Sequence, residues 1–125
     1  MHIPFCKQAC TYCNFHFSTL LRYKDDLIRM LANEAEIENQ YLQGEEIRTI
    51  YFGGGTPSIL SIPDLAFLLS NLNKNYAIAP DAEITLEANP DDITLEKLTA
   101  WKGIGLNRLS IGIQSFFEEE LRWMN

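Results

Sequence analysis

The sequence predicts an α/β fold built on a parallel sheet, and three observations carry that prediction. Short runs rich in β-branched and aromatic residues alternate with segments whose apolar residues recur every three or four positions. The order is strand then helix, repeated along the whole chain, which calls for right-handed crossovers and parallel strands. Each strand-like run also stops at a junction of unusual composition, and such junctions are where parallel α/β folds collect their function.

The elements follow in order. His2-Ile-Pro-Phe5 has the form of a strand's tail, with Pro4 acceptable only at a strand end or edge. Tyr23, Leu27, Met30, Leu31, Ile37 and Tyr41 then recur at helical spacing, and Gly44 is a natural stop. Ile47-Arg-Thr-Ile-Tyr-Phe52 predicts a strand ending at Gly53. Ser61-Ile-Pro-Asp64 has the form of a capping box, and Leu65, Leu68, Leu69 and Leu72 form one stripe behind it.

Glu83-Ile-Thr-Leu-Glu-Ala88 alternates and stops at Asn89-Pro90, which predicts another strand. Thr94 is placed to cap a short helix carrying Leu98 and Trp101 and closed by Gly103. Leu109, Ile111 and Ile113 share one face of a fourth strand, with Ser110, Gly112 and Gln114 on the other. Ser115-Phe-Phe-Glu118 has the form of a second capping box, opening a helix that runs to Asn125. Trp101 and Trp123 are expected to be helix-core residues, and Glu118 to Glu120 suit a first turn, where the helix dipole favours negative charge.

Both ends look cut on this reading, because the first strand lacks a beginning and the last helix an end. Four βα units cannot close an eight-stranded barrel, and an open sheet would keep raw edges. Residues 1–125 are therefore expected to be the N-terminal portion of a larger α/β barrel domain.

Composition narrows the function. With 46% hydrophobic and 22% charged residues in 125, the chain is neither collagen-like, low-complexity nor disordered in character. No apolar run approaches the ~20 residues of a membrane span, and no basic segment followed by an apolar one opens the chain. Ten Lys and Arg against seventeen Asp and Glu give a net charge of −7, which repels phosphate backbones and argues against a nucleic-acid partner. The three cysteines, Cys6, Cys10 and Cys13, are packed into one short segment and the remainder has none. Such clustering suits metal ligands in a reducing compartment, the cytoplasm, better than a disulfide framework.

The junctions carry the chemistry. The spacing C-x3-C-x2-C lets three thiolates wrap one face of a metal centre. A 4Fe-4S cluster held this way keeps one iron open to a small molecule. A zinc site completed by His16 or His2, or three structural thiols, remain open on spacing alone. After the next strand, Gly53-Gly-Gly-Thr-Pro-Ser58 suggests close backbone approach to a ligand or a tight loop with positive φ. It matches neither the phosphate loop nor the dinucleotide fingerprint. Glu87 and Gln114 end their strands as polar rim residues, and Tyr12, between two thiols, is placed either to stack on a ligand ring or to pack.

Through these residues the chain resembles the radical S-adenosylmethionine (SAM) superfamily, and within it the group of oxygen-independent coproporphyrinogen III oxidase and its haem-chaperone relatives. The motifs are His2-Ile-Pro-Phe-Cys6, Cys10-Thr-Tyr-Cys13, Gly53-Gly-Gly-Thr-Pro-Ser58, Glu87-Ala-Asn-Pro90 and Leu109-Ser-Ile-Gly-Ile-Gln-Ser115, so the resemblance covers the whole chain. It implies a partial (β/α)6 barrel continued by further chain, with a 4Fe-4S cluster on Cys6, Cys10 and Cys13. It also implies SAM contacts at Tyr12, Gly54, Gly55, Thr56, Glu87 and Gln114, and a reducing electron donor as partner. It assigns no catalytic residue in this stretch; the cofactor carries the chemistry and the protein orients it.

Phe15 stands where the oxidase branch has an additional cysteine, which favours the haem-chaperone branch over an oxidase that decarboxylates porphyrinogen propionates to vinyls. Met1 stands where family members place a Tyr. An arginine SAM contact is expected just past Asn125, and the haem-binding segment lies outside this chain, so these residues alone are not expected to complete either function.

Overall fold

The computed structural model describes residues 1–124; the helix expected to run to Asn125 therefore has its last residue outside the described part. Four strands, β1 (His2–Ile3), β2 (Ile47–Gly54), β3 (Ile78–Ala88) and β4 (Arg108–Ile111), form one sheet in the order β1-β2-β3-β4. Every pairing is parallel. The helices α1 (Lys24–Ile37), α2 (Ile62–Asn75) and α3 (Leu95–Gly103) are the crossovers, and α4 (Glu118–Met124) follows β4. The sheet's sequential order places all four strand C-termini, and hence all four βα loops, along one rim.

The core lies between the sheet and α1 to α3. Ile3, Phe52, Leu86, Leu65, Leu68, Leu69, Leu72, Ile28 and Trp101 are buried in it. α2 shows why the local sequence folds as it does. Ser61 Oγ accepts the Asp64 N–H at 3.2 Å and Asp64 Oδ2 accepts the Ser61 N–H at 3.1 Å, the expected capping box. The leucine stripe behind it is the buried face. Thr94 Oγ1 likewise accepts the Lys97 N–H at 3.1 Å at the start of α3, as expected.

Several expectations are corrected. β3 begins at Ile78 rather than Glu83, because Ile78 already pairs with Ile47 of β2, ahead of an irregularity that contains Pro80. Ile47 pairs with Ile78 and Thr49 with Glu83, so the extra residues of β3 bulge out where a proline can be tolerated. β4 ends at Ile111; the Gly112 N–H still reaches Ala88 O at 3.2 Å, but β3 stops there, so Ile113 has no strand to pair with and is exposed. α1 stops at Ile37 and continues as a 3-10 turn, Glu38–Gln40, leaving Ile37 and Tyr41 exposed.

The second capping box does not form. Ser115 Oγ accepts the Phe117 N–H at 3.0 Å and donates to Glu120, so the hydroxyl closes a turn and α4 starts only at Glu118. Trp101 is buried as expected, whereas Trp123 is 72% exposed: α4 packs no apolar face against the described core.

Candidate functional site

The first three βα loops close on one another. Leaving β1, the chain is gripped by the glycine turn: the Gly55 N–H donates to Ile3 O at 2.9 Å and the Thr56 N–H to Phe5 O at 2.7 Å. The cysteine loop is closed at its base, where the Cys6 N–H donates to Ser18 O at 3.1 Å and the Ser18 N–H to Pro4 O at 2.8 Å. Cys10 to Cys13 is a tight turn with the Cys13 N–H on Cys10 O at 3.2 Å, and the Thr11 N–H donates to Met124 O at 3.2 Å, which leans the turn on the end of α4.

The glycines explain how close these segments come. Gly54 has φ +130°, and a Cβ there would stand 2.8 Å from Ile3 O and 2.9 Å from Ile3 N. A Cβ on Gly55 would stand 2.7 Å from Phe5 O and 2.8 Å from Cys6 Sγ. The close approach expected of this run is therefore one to β1 and the cysteine loop of the same chain. Beside it, Glu87 at the end of β3 has both carboxylate oxygens engaged. Oε2 accepts the Gly54 N–H at 3.0 Å and Oε1 accepts the Tyr51 hydroxyl at 2.6 Å.

All three thiols are free and half-buried. Burial pushes the Cys6 thiol up; the hydrogen bond from Thr56 Oγ1, 3.5 Å from the sulfur, opposes this, and the charges of Cys13 and Cys10 add to the rise. Burial, then the Cys10 charge and hydrogen bond, push the Tyr12 phenol up as well. Cys6 is thus the thiol that its surroundings hold protonated, and a cation beside it would reverse that preference.

Among the described residues no three His, Cys, Asp or Glu side chains stand as a ready metal shell, neither the three thiols nor a Cys3His set with His2 or His16. The donor set still suits a thiolate-ligated cluster. Its three thiols are free and lie on one short loop.

The structure brings Cys6, Gly54, Gly55, Thr56 and Glu87 together, with Tyr12, Cys10 and Cys13 on the adjoining loop. It does not draw in Gln114, whose amide folds over Gly112, where a Cβ would meet Nε2 at 2.9 Å.

Two features escape sequence reasoning. Tyr51, one strand over from Glu87, is its hydroxyl partner. Asp92, in the 3-10 turn Pro90–Asp92 after β3, is only 3% exposed and accepts the Ser58 hydroxyl at 2.6 Å and the Lys7 ammonium. Ser58 lies within the quoted glycine motif, but an Asp following Asn-Pro ordinarily signals an exposed turn.

The Radical SAM superfamily model matches residues 1–125. Heme chaperone HemW of Escherichia coli (strain K12) is 43% identical over 124 residues, which cover 98% of this chain and 33% of HemW. Anaerobilin synthase of Escherichia coli O157:H7 is 42% identical over 121 residues, covering 93% of this chain and 27% of that protein. Among solved structures, coproporphyrinogen III oxidase (HemN) from Escherichia coli, a radical SAM enzyme, superposes with a TM-score of 0.87. The two are 31% identical, and the match covers 99% of this chain and 29% of HemN. The chain spans about a third of the length of these relatives.

Proposed function

The chain belongs to the radical SAM superfamily, and from that premise we propose that it is the cofactor-binding part of a haem chaperone related to HemW. Cys6, Cys10 and Cys13 hold a 4Fe-4S cluster, and SAM lies against Tyr12, Gly54, Gly55, Thr56 and Glu87, with Gln114 joining them once its amide turns away from Gly112. Such a cluster, when bound, supplies one-electron reduction of the SAM sulfonium, drawn from a reducing donor.

One observation supports this reading above the others: the free Cys6 thiol at the start of the cysteine loop is pinned against the glycine turn, with Thr56 bonded both to Phe5 O and to Cys6 Sγ. The chain's own residues bind and orient. Glu87 is held by Gly54 and Tyr51 as a fixed acceptor at the β3 end, and half-exposed Tyr12 offers a ring face beside the thiols.

Phe15, 78% exposed, stands in place of the additional cysteine and supports chaperoning of haem over porphyrinogen decarboxylation. The haem site lies outside this chain. Among the described residues no helix is long and apolar enough to cross a membrane, and we assign the protein to the cytoplasm on its clustered free thiols.

The test is anaerobic reconstitution followed by iron, sulfide and zinc analysis, with electron paramagnetic resonance of the reduced sample before and after adding SAM. The expected result is about four irons per chain and a spectrum perturbed by SAM. Zinc without sulfide overturns the reading in favour of a zinc-stabilised binding module. Decarboxylation of coproporphyrinogen by a longer protein overturns the chaperone assignment in favour of the oxidase.

A further inference from the structure

The group around Asp92 joins all three loops of the site. Asp92 Oδ2 accepts the Ser58 hydroxyl at 2.6 Å, and Oδ1 accepts the Lys7 ammonium, with Lys97 Nζ 3.7 Å away. Ser58, fully buried, accepts the Asn89 N–H on Oγ at 3.1 Å and the Lys97 ammonium on its carbonyl at 3.2 Å. Lys7 belongs to the cysteine loop, Ser58 to the glycine turn, and Asn89 and Asp92 to the turn beyond Glu87. A buried carboxylate needs such partners, and each partner here arrives from a different segment.

We propose that the Lys7–Asp92 pair is a positioning clamp: it fixes the segment carrying Cys6, Cys10 and Cys13 against the other two loops before any cluster is bound. The inference rests on the cluster-ligand reading for its purpose, but the clamp itself is a property of the cluster-free chain. Lys7 ties the loop by a side chain to the buried Asp92 carboxylate, the backbone bonds at Cys6, Thr56 and Ser18 hold its base, and the Thr11 N–H on Met124 O holds its tip. Severing the anchor loosens the loop between its base and the Thr11 contact with α4 and leaves the sheet and α2 intact. Lys7 is half-exposed and Asp92 keeps Ser58 and Lys97 when it is replaced, so any loss of global stability is read separately, from the α2 amides.

The experiment is amide hydrogen exchange on the cluster-free chain, comparing Lys7→Met, Lys7→Arg and the unaltered protein, followed by iron and sulfide content after reconstitution. In Lys7→Met, exchange over residues 6–18 is expected to rise about tenfold while α2 amides stay unchanged. Lys7→Arg, which keeps the charge and the reach, is expected to restore protection. Cluster loading should fall in Lys7→Met and recover in Lys7→Arg.

Unchanged loop exchange in Lys7→Met overturns the clamp. Equal loosening of the loop and α2 also overturns it, because the pair would then serve global stability. Full cluster loading despite a loosened loop overturns the positioning role. Failure of the unaltered chain to bind any cluster sinks the functional reading instead and leaves the exchange result standing.

Discussion

The backbone N–H of Gly54 donates to Glu87 Oε2 across 3.0 Å, locking the glycine turn of β2 to the end of β3. The same glycine is wedged on its other side against β1, where Ile3 pairs with it in register. Gly54 is therefore a three-strand junction, and its missing side chain belongs to the fold.

Gly54→Ala should destabilise the chain by about 2 kcal/mol or more, since it combines positive φ with an overlap onto β1 backbone. Urea denaturation measures this. An unchanged midpoint would mean that β1 gives way freely and that the junction is not strained.

Glu87 also sets the ionisation of Tyr51. The phenol is pushed up chiefly because it donates to the Glu87 carboxylate, a bond lost on deprotonation; Ser110 opposes this and partial burial adds to it. In Glu87→Gln the titration of Tyr51 should move down toward its ordinary value of 10.0. Ultraviolet difference titration against the unaltered protein isolates this one of the five tyrosines. No difference between the two curves would remove the bond from the account.

What the sequence made legible was local. The Ser61–Asp64 box and the leucine stripe behind it need only neighbours within a few turns, and both formed. The analogous pattern at Ser115 failed because its hydroxyl had a nearer amide, that of Phe117, and among the described residues no core behind α4 rewards an earlier helix start. The glycine run announced a close approach but not to what. The Asp92 group was illegible: its partners lie 34 and 85 residues away, and no periodicity encodes such pairings.

Acid should unfold the chain through Asp92 and Asp64. Burial alone would raise both carboxyls. For Asp92, hydrogen bonds from Lys7 and Ser58 and the charges of Lys7 and Lys97 outweigh it; for Asp64, Lys24 and Ser61 do. Both are held below their ordinary 3.8, so the unfolded chain takes up protons first as pH falls. Their stabilisation is complete above that value and is lost as pH drops through it toward the folded-state values. Urea midpoints should stay flat from about pH 7 to about pH 5 and fall below about pH 4. Asp92→Asn should cost about 1–3 kcal/mol at neutral pH and make the acid fall shallower. An acid limb as steep as in the unaltered protein would show that Asp92 contributes nothing to it.

Ser61→Ala tests the box at α2. It removes the acceptor for the Asp64 N–H and should cost about 1 kcal/mol, read from the urea midpoint. A cost close to zero would mean that Asp64, held by Lys24 at 2.7 Å, secures the helix start without the serine.

Cys10→Ala separates a ligand from a structural thiol. The turn from Cys10 to Cys13 is closed by a main-chain bond, Cys13 N–H to Cys10 O at 3.2 Å, so the substitution leaves the turn standing and removes only sulfur. The Cys10 side chain is half-exposed and fills no core position, so stability should change by less than about 0.5 kcal/mol. If the three thiols are the ligands, iron and sulfide should fall from about four per chain to a small residue, because two thiolates on one loop cannot hold the cluster that three hold. A structural thiol would give the opposite pair of results, lost stability with iron and sulfide content unaffected by the substitution. Because the two readings move the two measurements in opposite directions, a single preparation of Cys10→Ala decides between them.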